Sequence, residues 1–489
     1  MKKQNESGEN LTLKKQLNPM NVWAIAFGCI IGWGSFINPG KKFLPNSGVA
    51  GTAIAMILGA LVMVIIAFSY AYMVPKYPKA GGEFTFAKAC FGKTAAFVCG
   101  WFLVAAYLTN VPMNSTAIGL IVDGIFGDIL KWGFHYSIAG FEVWLGEIIL
   151  ASAILILFGV LNILGVKKAG IVQTILASLL IISVFTLFIS ALVSPHATVE
   201  NMSPVWGFDK SAALAAGGYD ASQAVSDSGI AGSILATFAI APWAFVGFDT
   251  IPQAAEEFKF SYKKIIFIMI VAITFGAFVY ISNNTIAAAA LENWPELALE
   301  GKWVLLVAAE KMLGTFGKVL VGIAVSCAVL SGIMGFYLAS SRLLYSMSKD
   351  GYLPKVFGKI DKKYGTPKNS IIFCIIISLA GPVLGREALG WFVDMSAIGA
   401  SIGFLFTSIA TFFVIRRDRD AKGFLKVLSI VGAIFSCAFI VLQLVPIPGL
   451  EGVHFCWQSY LMLGVWIVLG AVFYLKQRKV IYSVGNSNE

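Results

Sequence analysis

Apolar residues run in blocks of about 20 along almost the whole chain, parted by shorter polar stretches. A helix of about 20 apolar residues crosses a hydrocarbon core of about 30 Å. No sustained alternation of apolar and polar positions argues for membrane strands. The pattern predicts twelve helices, over 21–44, 48–74, 94–126, 142–164, 169–193, 231–257, 265–290, 317–347, 368–384, 389–415, 424–444 and 457–476, numbered spans 1 to 12.

Span 1 is poor helix material. Its stretch GCIIGWGSFINPG, Gly28 to Gly40, holds four glycines and a proline. In a helix interior glycine costs about 1 kcal/mol against alanine, and proline about 3. An unsatisfied backbone group in lipid costs more still. The expected break lies at Gly32-Trp33-Gly34. One half-helix then ends near Ile31, and its last carbonyls, that of Ile30 included, suit an ammonium group. The other starts near Ser35, and its first amides suit a carboxylate. Taken alone, the glycines fit close helix packing equally well, since Gly28 and Gly32 form a GxxxG.

Span 6 shifts that balance. Residues 241–257 read APWAFVGFDTIPQAAEE, interrupted at Pro242 and Gly247. Pro252 falls where the first turn of a new half-helix tolerates it. Interruptions at matching places, five helices apart, point to a transporter site between two inverted repeats.

Composition and charge fix class and direction. The 489 residues are 58% hydrophobic and 13% charged, with a mean hydropathy of +0.81. That is a membrane composition. Of the 36 Lys and Arg, 28 fall in tails and loops on the N-terminal side of the spans and eight on the other. The bias predicts both termini in the cytosol, with the chain multi-pass in the cell membrane. The net charge of +10 is then a topology signal, and no nucleic-acid partner is expected. The polar stretch 1–20 reads as a cytosolic tail, without the apolar core of a signal peptide, and 478–489 as a second tail. Between them lie a first repeat over 21–193, an outer loop over 194–230, a second repeat over 231–415 and two added helices within 416–477. A second outer loop, 291–316, and an inner segment, 75–93, are also long. Seven cysteines are scattered with no CxxC pair, and the three histidines fall in predicted loops. Neither a metal site nor a cofactor is expected.

Four motifs carry a resemblance: GCIIGWGSF in span 1; MVPKYPKAGGEFTFAKACFGKTAAFVCGW (73–101); WAFVGFD (243–249) with AAEE (254–257); and SSRLLYSMSKDGYLP (340–354). In this order they resemble the amino acid–polyamine–organocation family of amino acid permeases. The resemblance implies an all-α, leucine-transporter-like fold in which spans 1–5 and 6–10 are inverted repeats and spans 1 and 6 are broken. It implies that backbone at Ile30, Ile31, Gly32, Trp33, Gly34 and Ser35, and at Trp243, Phe245, Val246 and Gly247, holds the amino and carboxyl groups of a substrate. It also implies an inner loop at the membrane surface within 75–93, and a cytosolic turn at Asp350 and Gly351.

Trp33 departs from the family, many of whose members have a small residue there. It either walls the pocket or packs away from it. Some proton-coupled members carry a lysine in span 5; alignment on VK and VQ puts Leu180 near that place, so a lysine relay is not expected. Trp243 suits stacking on a side chain, or core packing. Asp249, an intramembrane carboxylate, is either the coupling residue, carrying a proton, or a half-helix cap. Asn110 and Asn114, with Tyr107 a turn earlier, lie on one face of span 3 and suit either a substrate side chain or interhelical bonds. Ser326 and Ser331 are weak sodium candidates. Asp394 suits the outer vestibule. Glu83 reads as organising the AGG loop.

The expected function is a secondary active permease. It moves amino acids or related amines by alternating access, coupled to protons or by exchange, with the lipid bilayer as its setting. A sensor on a transporter scaffold is the alternative. A membrane enzyme lacks a nucleophile-and-base or metal constellation, and a channel lacks a filter repeat.

Overall fold

The computed structural model describes residues 13–138, 140–220, 229–385, 388–420, 422–447 and 454–483. Tail residues 1–12 and 484–489, loop residues 221–228 and Arg386 lie outside the described residues. All twelve predicted spans contain helix, with ends shifted by a few residues. Among the described residues, ten helices are long and apolar enough to cross a membrane, while Pro19–Ile30 and Lys368–Leu384 are shorter apolar helices. Gly48, at φ 60 and ψ −163, kinks the run Leu44–Lys76 where span 1 was expected to hand over to span 2.

Helix dominates because its backbone groups are satisfied within the segment. A short hairpin departs from the expectation: His135–Ile138 pairs antiparallel with Phe141–Trp144 before span 4, which begins at Leu145. The segment 75–93 also holds more structure than a loop, with a helix over Gly82–Phe91 whose first turns are buried.

Residue size sorts the faces. On the span 5 helix, Val166–Val193, the large Ile171, Ile175, Ile182 and Ile189 are exposed, while Gln173, Ala177, Leu180 and Val184 are buried. Bulk faces outward and small or polar groups face inward, as expected where the surroundings are lipid. The span 8 helix, Thr315–Lys349, runs through the centre, with most of its residues buried. Glycine brings span 1 against it. A Cβ on Gly335 would lie 2.3 Å from Cys29 Sγ, and one on Gly28 2.5 Å from Ser331 Oγ.

Both ends of the central bundle are tied. Where the chain begins, Leu17 forms a parallel bridge with Phe258, and the amides of Gln16 and Leu17 donate to the Glu257 carbonyl at 2.8 and 2.9 Å. Beside them Arg342 Nε meets Glu257 Oε1 at 2.6 Å, each side chain 1% exposed. At the opposite end Trp303 Nε1 donates to the Phe36 carbonyl at 2.8 Å, which pins the 291–316 loop to the second half of span 1.

Removing one partner of a buried ion pair leaves an uncompensated charge and costs about 3–5 kcal/mol. Glu257→Ala alone is therefore expected to lower the melting temperature of the detergent-purified protein sharply. The double variant Glu257→Leu with Arg342→Met should lose less. A single variant that melts with the wild type would show that the pair carries no such weight.

Candidate functional site

Span 1 opens where its glycines predicted. The first helix, Pro19–Ile30, is set by Asn18 and Asn21 in a reciprocal cap, with Pro19 in its first turn. Ile31 is extended, at φ −95 and ψ 100, and helix resumes at Gly34. Ile31 donates back to the Phe27 carbonyl at 2.9 Å, and Ser35 returns both its amide and its hydroxyl to the Gly32 carbonyl, at 3.3 and 3.0 Å. The amides of Gly32, Trp33 and Gly34 have no hydrogen-bond partner among the described residues. The Ile30 carbonyl accepts from the Tyr280 hydroxyl, at a long 3.5 Å.

Span 6 is broken more heavily. Helix Gly229–Phe238 gives way to the single turn Ala241–Ala244, and the chain then continues in 3-10 turns over Phe248–Thr250 and Pro252–Glu257. Gly247 stands between them at φ 142, a region glycine alone enters freely. A Cβ there would lie 2.6 Å from the Ile30 amide nitrogen and 2.9 Å from the Ala26 carbonyl oxygen. The two breaks touch backbone to backbone.

Beside this contact lies a small cavity of about 10 Å³, room for roughly one water, lined by Cys29, Ile30, Gly32, Trp33, Asn110, Met113, Asn114, Trp243, Tyr280 and Phe336. No lining side chain carries a charge. The rings of Trp33 and Trp243 stand 6.1 Å apart, tilted by 55°. Trp33 is thus a wall of the pocket.

Five of the predicted binding residues line this cavity: Ile30, Gly32, Trp33, Trp243 and Asn110. Gly34 backs it, since a Cβ there would meet the Trp243 ring at 2.3 Å. Ile31 and Ser35 are buried beside it. Phe245 lies behind, 6.3 Å from the Tyr280 ring. Val246 is buried outside the lining, and Gly247 faces span 1.

The two asparagines separate. Asn110 Nδ2 is committed to the Ala106 carbonyl and Ser396 Oγ, both at 2.6 Å. Asn114 Nδ2 is held by the Asn110 carbonyl at 2.8 Å, while its Oδ1 is buried without a partner. Asn114 Oδ1 is thus a buried acceptor left open on span 3. Trp33 Nε1 is likewise a buried donor without a partner.

Ser331 and Ser326 do not converge. Five residues apart on one helix, they point about 140° from each other. Ser331 Oγ is turned to the Gly28 carbonyl at 3.2 Å. The span 5 side chain that reaches spans 1 and 8 is Gln173, whose Nε2 donates to the carbonyls of Ala24 and Ser331 at 3.1 and 3.2 Å. Leu180 is an apolar core residue two turns on. Asp394 accepts from Ser459 at 2.6 Å, away from the cavity lining.

Asp249 does not line the cavity. Its Oδ1 caps the Gly247 amide at 2.7 Å, and its Oδ2 lies 3.0 Å from the Tyr107 hydroxyl. That hydroxyl also reaches Glu83 Oε1 at 3.1 Å. Glu83, expected to organise a loop, is fully buried between spans 2, 3 and 6, taking hydrogen bonds from Tyr70 and Gln253 at 2.7 Å each. Two charged carboxylates bridged by one oxygen are at most about 6 Å apart and repel by at least about 3 kcal/mol at an effective dielectric of 20.

Tyr280, Phe336, Met113 and Cys29 join the site without having been singled out from sequence. Three of them are large apolar or aromatic residues within apolar helices, which composition cannot tell from core. Tyr280 had one available signal, the neighbouring Asn283 and Asn284, which mark an inward-facing polar stretch of span 7.

Two interrupted helices meeting beside a small cavity, inside a bundle of membrane-length helices, define a multi-span membrane transporter. A profile of the amino acid permease family matches residues 17–472, so the chain belongs to that family. It is similar to the branched-chain amino acid permease BcaP of Bacillus subtilis, 24% identical over 96% of this chain and 94% of that protein. It is 24% identical to the serine/threonine exchanger SteT of the same organism, over 87% of this chain and 91% of that one. The human large neutral amino acids transporter small subunit 2 is 28% identical over 76% of this chain and 65% of its own length. The protein is a secondary transporter for amino acids.

The backbone contact gives a direct prediction. Gly247→Ala meets main-chain atoms and an unfavourable φ, so it is expected to cost about 1–3 kcal/mol. Gly34→Ala meets only a movable ring and should cost less. Thermal unfolding of the two purified variants, side by side, checks the order; equal melting points would mean that the breaks are not in contact.

Proposed function

We propose that this permease carries neutral amino acids across the cell membrane, with both termini in the cytosol. The carrying observation is a pocket between the two breaks that offers free amides and buried polar atoms but no charged side chain. A zwitterionic headgroup suits such a place. The substrate carboxylate faces the amides of Gly32, Trp33 and Gly34. The ammonium group faces the Ile30 carbonyl, with Asn114 Oδ1 within the same lining. An ionised side chain would find no counter-charge there and would pay for its desolvation, whereas the indole rings of Trp33 and Trp243 suit apolar or small polar ones. The names of the three relatives, branched-chain, large neutral and serine/threonine, all describe uncharged side chains.

A pocket of about 10 Å³ is far smaller than an amino acid. Transport therefore requires the Trp33–Trp243 pair to part. In this reading the repeats, residues 21–193 and 231–415, rock about the Gly247 contact, opening the Trp303 end and the Glu257 end in turn. Protons couple through Asp249; exchange against a second amino acid is the other mode, which the name of SteT supports.

Purified protein in liposomes tests this. Labelled leucine and threonine should enter saturably, faster when unlabelled leucine is preloaded, while arginine and glutamate should not compete. Gly34→Leu, which drives a side chain into Trp243, should reduce uptake at least tenfold while the protein still inserts. Saturable arginine or glutamate uptake in place of leucine would reverse the substrate class, and no uptake of any amino acid would remove the reading.

A further inference from the structure

Beyond the cavity, toward the face where the chain begins, Asp249, Tyr107 and Glu83 form a chain of oxygens. All three side chains are fully buried, as are Tyr70 and Gln253 beside them. Cys29 faces Asp249 and Cys99 faces Glu83. Among the described residues, neither carboxylate forms an ion pair with Lys, Arg or His. The nearby Arg342 is spent on Glu257.

Proton bookkeeping assigns the states. The Tyr107 oxygen lies within 3.1 Å of both Glu83 Oε1 and Asp249 Oδ2, yet its hydroxyl has a single proton. If both acids were ionised, one carboxylate oxygen would face only the lone pairs of that hydroxyl. Glu83 has the full acceptor set: Tyr70 and Tyr107 on Oε1, Gln253 Nε2 on Oε2. Asp249 takes the Gly247 amide on Oδ1. The Tyr107 hydroxyl also lies 3.2 Å from the Asp249 carbonyl and 3.4 Å from Gln253 Nε2. A proton on Asp249 Oδ2, donated to the Tyr107 oxygen, frees the Tyr107 proton for Glu83 Oε1 and leaves one negative charge on the pair.

We propose that Glu83, Tyr107 and Asp249 constitute a single-proton site, with the proton resting on Asp249 and passed through Tyr107 to Glu83. In the transfer the O–H bond of Asp249 breaks as one forms to the Tyr107 oxygen, and the original Tyr107 proton moves to Glu83 Oε1. Tyr107 ends neutral, now donating to an ionised Asp249, and the pair keeps a net charge of minus one. The use of this site in coupling rests on the transport reading above; its existence does not. Glu83 then marks the end of the path nearer the face where the chain begins, and Asp249 the end joined to the break.

Infrared difference spectroscopy of the full-length protein in detergent, in light and heavy water, reads the proton directly. At neutral pH a buried protonated carboxyl band is expected, lost in Asp249→Asn, kept in Glu83→Gln and shifted in Tyr107→Phe. Absence of that band, or its loss in Glu83→Gln and retention in Asp249→Asn, overturns the assignment. The same variants in liposomes test coupling. Glu83→Gln and Asp249→Asn should each flatten the pH profile of labelled leucine uptake. A wild-type profile in Glu83→Gln would remove Glu83 from coupling. Should the wild type move no amino acid while the infrared pattern holds, the transport reading fails and the proton site stands.

Discussion

The rest of the structure depends on a contact without side chains, the approach of Gly247 to the backbone of Ala26 and Ile30. A helix interrupted in lipid leaves donors and acceptors that water cannot reach. Two such interruptions placed together can share the burden. Ser35 folds back on Gly32, Ser331 reaches the Gly28 carbonyl, and Asp249 takes the Gly247 amide. What is left over, the amides from Gly32 to Gly34, is concentrated at one point facing a pocket. The candidate site is what remains of a local hydrogen-bond problem that Ser35, Ser331 and Asp249 solve in part.

That arrangement divides the molecule into fixed and movable parts. Span 1 is held against span 8 at Gly28 and Gly335, and against span 7 at Gly276, where an added Cβ would meet Ile30 at 2.6 Å. Main chain packed this closely shifts as a body or hardly at all. The movable parts are side chains and ties at the ends. Trp33 and Trp243 close the pocket. Trp303 bonded to Phe36 closes one end of the bundle. Leu17 bridged to Phe258, beside the Arg342–Glu257 pair, closes the other. Alternating access needs one of these end closures to release while the other holds, and their different chemistry, an indole hydrogen bond against a buried ion pair, lets them respond independently.

The breaks were legible in the sequence because their cause is local: glycine and proline weaken a helix wherever they stand. The spans were legible from hydropathy, which depends on little besides composition. The partners of each site residue were not, because they are set by distant chain. Asn110 and Asn114 share a helix face, and Ser396, contributed by span 10, takes up the amide nitrogen of Asn110. Glu83 sits in a polar stretch, KYPKAGGEF, that reads as surface; the turn at Gly81 and Gly82, both at positive φ, rolls the next helix under span 3 and buries it. Gln173 was not singled out, because a lone amide in an apolar helix shows no partner until the packing places it against the carbonyls of spans 1 and 8. The hairpin before span 4 escaped notice because four-residue strands are too short to show a period.

Asp249 joins the two kinds of chemistry through its two oxygens. One holds the amide at the break; the other faces Tyr107. Removing its proton places a full charge beside the Gly247 amide and strengthens that hydrogen bond, since charge-assisted bonds are roughly twice as strong as neutral ones. The gain falls on the residue whose backbone touches Ile30. The carbonyl of Ile30 lines the pocket, and an ammonium group there would sit closer to Asp249 than any other charge in the site. A cation entering the pocket therefore favours an ionised Asp249, and an ionised Asp249 favours the cation. By linkage the two effects are equal in free energy, so under the coupling proposed above an ammonium group in the pocket and ionisation of Asp249 reinforce each other without any residue having to contact both.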